Sequence, residues 1–408
     1  MKIYSPIYVS RFFALADQTI FAVANFTLTV TIARYHGESE LAAFGIALSI
    51  ALILQGIQLN NYIIHLNMLD RRVFRFRRRR ILGEHLIATM PFIIGAAALS
   101  IICVSLVGPS MLTRVAVATM ACFAIYCHVG FERVFFTKED NYIAPFLSSA
   151  VYFLVNLYML KSHASVSFNQ AMLVLFAFGM VRYAVLMFAG RPDLRRGAAL
   201  LRIDLRRNSL GSLLGMIGYS GYTHVPVFAL GAFSTPGQVA AYVAFRSALQ
   251  PSQIIMRSMD VVDKNQFREA IRASDKPRQV LLYQVLFYGG MSTAMSLAIC
   301  FFSKDIVDIL YHGKYYDYIG VLYIWATITV FFNMTQPIES AIVLKKMLTT
   351  FNVVRSAVGV LTAIVTVFIA TPFGAFGVAT TSMLAGLAVF SLGGVISLIA
   401  LCGRPQHG

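Results

Sequence analysis

Five ionisable side chains lie inside long apolar stretches of this sequence: Asp17, Arg182, Arg246, Glu339 and Arg355. Ionisable residues at membrane depth are costly and usually face a cavity or a partner. A guanidinium fits a phosphate group through two parallel hydrogen bonds, and a low dielectric strengthens that contact. The three arginines are therefore candidate ligands for an anionic substrate. The alternative is an internal ion pair, for instance Arg246 with Glu339 or Arg182 with Asp17.

A second group of side chains in the apolar stretches is neutral and can hydrogen-bond a sugar. It comprises Gln18, Asn25, Tyr222, His224 and Gln336. Each of them can equally bond a neighbouring helix, and the sequence leaves both interpretations open. Two prolines, Pro226 and Pro337, are expected to break their helices and expose backbone carbonyls.

Sequence motifs of catalysis are absent. There is no GxSxG, no Walker loop, no HExxH and no pair of carboxylates in a loop. The five cysteines fall mostly inside apolar runs and lack metal-ligand spacing with histidine. We therefore expect no enzyme activity, no resident cofactor and no metal site.

The elements that must position these residues are membrane spans. Of the 408 residues, 58% are apolar and 13% are charged, whereas a soluble domain has about 25% charged residues. Lipid is the plausible solvent for so much apolar surface, and a span needs roughly 20 mostly apolar residues. We predict an all-α polytopic protein with about twelve spans. They run at about 12–33, 41–65, 84–107, 115–131, 142–160, 169–190, 209–230, 237–257, 279–301, 319–342, 351–370 and 375–401.

The distribution of basic residues predicts the orientation of these spans. With the N-terminus in the cytoplasm, 26 of the 34 Lys and Arg residues fall on the cytoplasmic side and five on the outer side. This bias is typical of membrane proteins and places both termini in the cytoplasm. Basic runs such as RRVFRFRRRR are then topology signals that contact anionic membrane lipids, and we expect no nucleic-acid binding. Residues 260–276 are predicted to form an amphipathic helix at the membrane surface.

A basic stretch at 191–208 divides the chain into two six-helix lobes, 1–190 and 209–408. Because six is even, both lobes have the same orientation, as in transporters built from parallel repeats. We expect a cavity between the lobes that opens to one side of the membrane at a time.

Two segments resemble a known family. The N-terminal segment has Asp17-Gln18, Asn25-Phe26, Ala33-Arg34 and Glu40, and then Ala42-Ala43-Phe44-Gly45. The second segment is THVPVFALGAFSTPGQVAAYVAFRSALQP, from Thr223 to Pro251. They are similar to the opening and to spans seven and eight of Wzx-type polysaccharide flippases, which belong to the multidrug/oligosaccharidyl-lipid/polysaccharide (MOP) exporter superfamily.

The resemblance implies a flippase of the bacterial inner membrane that serves cell-surface polysaccharide biosynthesis, such as O-antigen or exopolysaccharide. Its substrate would be an undecaprenyl-pyrophosphate-linked oligosaccharide, and a polysaccharide polymerase or export machinery would be a partner. Arg246 and Arg182 would suit the pyrophosphate. Asp17, and with it Glu339, would bind a coupling H⁺ or Na⁺.

Two alternatives stay open. A drug exporter of the same superfamily would need acidic residues for cationic drugs. Here the predicted spans contain three arginines and only two carboxylates. A polysaccharide polymerase or ligase typically carries a large outer loop, whereas the longest outer loop predicted here is about 302–318.

Overall fold

The computed structural model describes most of the chain, and every regular element in the described part is helical. The described residues are 6–58, 66, 69, 71–107, 111–162, 165–253, 256, 259, 267, 276–345 and 347–402. The protein is an all-α, multi-pass membrane protein. Among the described residues, nine helices are long and apolar enough to cross a membrane.

The chain divides into two compact units, Met1–Leu213 and Leu214–Gly408. The first unit contains six complete helices. They are α1 (Pro6–Tyr35), α2 (Glu38–Gln58), α3 (Arg71–Val107), α4 (Leu112–Lys138), α5 (Ile143–Lys161) and α6 (Phe168–Gly190). Helix α4 lies at the centre of this unit, because α2, α3 and α6 all pack against it. Helix α1 packs mainly on α5.

Local sequence explains several helix ends in the first unit. Helix α6 begins with a capping box, in which Ser167 and Gln170 bond each other's backbone N–H groups. It ends at Arg191, which adopts the left-handed conformation with φ 51°. Helix α4 is followed by Asp140 at φ 61°, a conformation that Asp tolerates better than most residues. The segments that follow α4 and α6 lie close to the start of α3, where Arg71 pairs with Asp140 and the Arg79 carbonyl accepts a hydrogen bond from the Asp193 N–H.

The unit boundary falls inside α7 (Leu194–Thr223), so most of the predicted linker 191–208 is helical. The remaining helices belong to the second unit. They are α8 (Val225–Phe233), α9 (Pro236–Ala248), α10 (Pro277–Phe301), α11 (Ser303–Tyr311), a short 3₁₀ turn (Tyr316–Tyr318), α12 (Ile319–Leu344) and α13 (Leu348–Cys402). Helix α12 packs against α9, α10 and α13, and α13 also packs against α8.

Two breaks divide helices of the second unit. Pro226 has no backbone N–H, and the predicted seventh span is indeed interrupted at His224, between α7 and α8. The second break is at Gly374, whose φ of 52° and ψ of −143° suit only glycine. There the side chain of Gln238 accepts a hydrogen bond of 3.0 Å from the backbone N–H of Ala375. This break separates the predicted eleventh and twelfth spans within α13.

Some predictions from the sequence are wrong, and others concern residues outside the described part of the chain. Pro337 lies inside α12 without interrupting it, so the predicted break there is wrong. Proline is tolerated in membrane helices whose neighbours pack closely, and Pro337 is buried. Helices α8 and α9 have 9 and 13 residues, which is too short for full spans. The end of predicted span two (59–65) lies outside the described residues, as do all but Phe267 and Lys276 of the predicted surface helix 260–276.

Candidate functional site

Asp17 on α1 is buried and already has two donors. The Arg133 Nε atom donates to its Oδ2 oxygen at 2.6 Å, and the Ser149 hydroxyl donates to its Oδ1 oxygen at 2.5 Å. The Arg133 guanidinium also lies 5.1 Å from the centre of the Phe21 ring. The expected pair of Asp17 with Arg182 is therefore wrong. The sequence placed Arg133 in a cytoplasmic loop, but α4 continues beyond it to Lys138.

Arg182 on α6 pairs with Glu132 on α4. Each of the two side chains is only 5% exposed. The pair uses the Nε atom of Arg182, and its Nη1 and Nη2 atoms are buried without a hydrogen-bond partner in the described part of the chain. Glu132 lies one residue beyond the predicted end of the fourth span, which is why sequence reasoning missed this partner.

Two histidines, His85 and His128, are also buried in the first unit. The His85 ring on α3 stacks on Phe131 at 3.7 Å between ring centres, and the His128 ring on α4 stacks on Tyr183 at 3.9 Å. The Gln58 side chain lies 3.4 Å from the Nδ1 atom of His85. Sequence reasoning did not single out either histidine, although each lies in a stretch that is largely apolar.

The two neutral candidates of the first unit, Asn25 and Gln18, have different surroundings. Asn25 is buried and accepts a hydrogen bond of 2.9 Å from the Tyr152 hydroxyl. Gln18 lies on the same helix but is exposed. Asn25 therefore connects α1 to α5, which corresponds to the structural alternative left open by the sequence.

Arg246 on α9 has different surroundings from Arg182. Its Nη1 atom donates to the backbone carbonyl of Thr223 at 2.8 Å, and its guanidinium carbon lies 5.6 Å from the centre of the Trp325 ring. No carboxylate among the described residues forms an ion pair with it, so the expected pair with Glu339 is wrong. Arg246 is only half-buried, which leaves guanidinium N–H groups accessible.

The helix break explains the carbonyl that Arg246 binds. In a continuous helix, the N–H of residue 227 would bond the carbonyl of Thr223. Here the Val227 N–H instead bonds the carbonyl of His224 at 3.1 Å, and Arg246 replaces the missing donor. The His224 Nδ1 and Trp325 Nε1 atoms are buried and lack partners in the described part of the chain. We call Thr223, His224, Arg246 and Trp325 the Arg246 cluster.

Arg355 on α13 is held by an ion pair and an aromatic cage. Its Nη2 atom pairs with Glu339, and its Nε atom donates to the Tyr222 hydroxyl at 3.0 Å. Its guanidinium carbon lies 5.5 Å from the ring centre of Tyr219 and 5.2 Å from that of Phe351. Two of the five N–H groups of Arg355 and its only charge are therefore used within the second unit.

Gln336 on α12 belongs to a chain of hydrogen bonds between helices. Its side-chain nitrogen lies 3.3 Å from the Asn333 Oδ1 atom, and Asn333 in turn donates to the Ser292 hydroxyl at 2.9 Å. The Gln336 Oε1 atom is buried and has no partner among the described residues. This chain joins α12 to α10.

Comparisons with known proteins identify the fold. No protein-family model matches the chain, and no curated protein matches it. Among solved structures, the lipid II flippase MurJ in an inward closed conformation is similar, with a TM-score of 0.68 and 10% identity over 98% of this chain and 87% of that one. The eukaryotic MATE transporter AtDTX14 follows with a TM-score of 0.58 and 14% identity over 97% of this chain and 94% of that one.

A third similar structure is a MOP superfamily transporter from Pyrococcus furiosus, with a TM-score of 0.53 and 14% identity over 98% of this chain and 96% of that one. These neighbours are transporters and flippases, and the chain has the fold of MOP-superfamily transporters. The low identities mean that the likeness establishes the fold alone.

Proposed function

We propose that the protein is a flippase that moves a lipid-linked oligosaccharide across the bacterial inner membrane by alternating access. The oligosaccharide would be carried on undecaprenyl pyrophosphate and used for cell-surface polysaccharide, as in Wzx-type proteins. One observation carries the proposal: the Arg246 guanidinium, held at the helix break between α7 and α8, has no carboxylate partner in the described residues. The sequence predicts that this segment lies in the membrane.

An uncompensated charge inside a membrane is costly, so its presence favours a function. The guanidinium has five N–H groups, and the Thr223 carbonyl occupies one of them. Trp325 supports the guanidinium on one side. The remaining N–H groups suit the paired oxygens of a pyrophosphate, which guanidinium binds bidentately. We therefore rank Arg246 above Arg182 and Arg355, both of which have a carboxylate partner.

The fold supports the same class of function. One of the similar structures is a lipid II flippase by its name. A flippase acts on a lipid that carries an anionic head group, so a cation inside the membrane segment fits this class. The polymerase or export machinery of the same polysaccharide would be its partner.

Mass spectrometry of lipid extracts tests the proposal directly. Cells that lack the gene should accumulate undecaprenyl-pyrophosphate oligosaccharide and lose surface glycan, and the wild-type gene should reverse both changes. Arg246→Ala should fail to reverse them although the protein reaches the membrane. Arg114→Ala is the matched control, because Arg114 is exposed and paired with Glu40 at 3.1 Å. An unchanged lipid pool with normal surface glycan would argue against a flippase.

An ion gradient is the proposed energy source, with Asp17 and Glu339 as the carboxylates that bind H⁺ or Na⁺. Asp17→Asn should then remove the dependence of transport on pH or Na⁺. A normal response of that variant would assign Asp17 to the structural pair with Arg133.

Export of small molecules is a second candidate, favoured by the similarity to AtDTX14. It predicts that cells lacking the gene accumulate a fluorescent cationic dye, while their lipid-linked glycan pool stays normal. The two measurements on the same strain separate the two functions.

A further inference from the structure

Two basic segments that lie far apart in the sequence come together in the first unit. The start of α3 contains seven arginines between Arg71 and Arg80. The start of α7 follows Arg191 and contains Arg195 and Arg196. The backbone N–H of Asp193 donates to the carbonyl of Arg79 at 2.9 Å, so the two segments are hydrogen-bonded neighbours.

Glycine makes this contact close. A Cβ atom on Gly83 would lie 2.6 Å from the carbonyl carbon of Asp193, and a Cβ atom on Gly197 would lie 2.9 Å from the Cα atom of Gly83. Real Cβ atoms essentially never approach that closely. The starts of α3 and α7 are therefore in direct backbone contact and present their basic residues together.

Some of these arginines are neutralised by the protein itself. Arg71 and Arg75 pair with Asp140 at 2.5 and 2.8 Å, and Arg78 pairs with Glu139 at 3.2 Å. Both carboxylates follow the end of α4. Arg196 lies 3.6 Å from Asp193. These pairs hold α3 and α7 in place and leave less charge for an external partner.

Four exposed arginines keep their charge. They are Arg77, Arg79, Arg191 and Arg195, and none of them forms an ion pair in the described part of the chain. Exposed apolar side chains lie beside them: Phe76 is 83% exposed, Phe188 85% and Leu194 50%. We call these seven residues the basic apolar surface.

We propose that the basic apolar surface is a binding site for the head group of an anionic phospholipid. Arg77 and Arg79 lie in the first turns of the candidate span Arg71–Ile102, and Arg191 and Arg195 follow the end of the candidate span Phe168–Phe188. These span ends put the arginines at the level of the head groups. Large apolar residues among cations suit a membrane interface, where they enter the acyl region while the cations bind phosphate.

The basic apolar surface shares no residue with the Arg246 cluster, so the two proposals can be tested independently. The binding of lipid can be measured on the purified full-length protein, without substrate. Native mass spectrometry in a neutral detergent counts bound dioleoyl phosphatidylglycerol and, in parallel, bound dioleoyl phosphatidylcholine.

The start of α3 contains both ion-paired and unpaired arginines, which gives two double variants that remove the same number of charges. Arg77→Gln with Arg79→Gln removes two unpaired charges, whereas Arg71→Gln with Arg75→Gln removes two charges that form ion pairs with Asp140. The first double variant should lose phosphatidylglycerol affinity on the order of tenfold, since each basic residue near an anionic surface contributes several-fold. Arg191→Gln with Arg195→Gln should lose a similar amount, although those residues are remote in sequence.

Several results would overturn the assignment. Equal binding of the two lipids by the wild-type protein would exclude a site for an anionic head group. Equal losses in the two α3 variants would show that net charge alone decides binding. Loss of a copurifying acidic protein, with unchanged phosphatidylglycerol binding, would assign the surface to that protein instead. Matching elution volumes and unfolding temperatures would establish that the variants fold.

Discussion

The two units of this protein differ in the partners of the arginines inside their helix bundles. In the first unit, Arg133 and Arg182 each have a carboxylate partner, Asp17 and Glu132. In the second unit, Arg355 has Glu339, but Arg246 has only a backbone carbonyl and an aromatic ring. Arg133 and Arg182 of the first unit are thus held in ion pairs, whereas Arg246 of the second unit has no carboxylate partner among the described residues. For the arginines, the missing carboxylate partner is what distinguishes Arg246 as a candidate for binding an anion.

The largest expected effect comes from breaking the ion pair between Arg182 and Glu132 in the first unit. Glu132→Ala leaves the Arg182 guanidinium buried and unpaired, which should cost about 3–5 kcal/mol of stability. Thermal unfolding of the purified protein measures this loss. Replacing both residues, by Glu132→Leu with Arg182→Met, should restore most of it because no buried charge remains. A single variant as stable as the wild type would show that water reaches this pair.

Close helix packing, in contrast to charge, should be equally important in both units. A Cβ atom on Gly179 would lie 2.8 Å from the Ala124 carbonyl carbon in the first unit, and one on Gly218 would lie 2.5 Å from the Arg355 carbonyl carbon in the second. Valine at either position should cost about 1–3 kcal/mol through overpacking.

Gly290 provides the control for both packing variants, because nothing lies within 4 Å of a Cβ atom there. Gly290→Val should therefore leave the unfolding temperature nearly unchanged. A destabilised control would mean that valine itself, and not the close contact, lowers the stability of these helices.

A graded substitution sharpens the assignment of Arg246. Arg246→Lys keeps the positive charge but loses the planar pair of donors that fits a phosphate bidentately. Glycan export should fall about tenfold, which corresponds to roughly 1.4 kcal/mol. Pulse labelling of surface glycan measures the rate, and immunoblotting of membranes checks the protein level. Full activity of the lysine variant would reduce the role of Arg246 to that of a simple point charge.

The smallest effect is expected where charges face water. Asp140→Asn removes the partner of Arg71 and Arg75, whose side chains are 53% and 56% exposed. Exposed ion pairs contribute about 0–1 kcal/mol, so the unfolding temperature should change little. A loss comparable to that of Glu132→Ala would remove the distinction between surface and buried pairs.

The sequence predicted the helical fold and the two breaks well, because both depend on local features. Apolar runs of span length give the helices, Pro226 accounts for the break at His224, and Gly374 supplies the positive φ between the last two spans. Pro337 was misjudged, because packing around a proline decides whether the helix continues.

The ion pairs could not be predicted, for two physical reasons. Hydropathy ends a span at its first charged residue, so Glu132 and Arg133 were placed outside a helix that includes both. Two opposite charges that pair inside a membrane largely cancel each other. A hydropathy average over a window of residues counts each charge separately and therefore misses this cancellation. The choice of partner also depends on helix rotation, which the sequence leaves undetermined. The roles of the proposed site residues stay predictions until transport is measured.

The interruption at His224 has a mechanical consequence. Pro226 cannot donate to the helix, and the Thr223 carbonyl is bonded by a side chain instead of the backbone. Few backbone hydrogen bonds therefore break when the angle between α7 and α8 changes, which allows the junction to act as a hinge. Because Arg246 bonds the carbonyl at this hinge, any ligand that draws its guanidinium away also alters the stiffness of the helix.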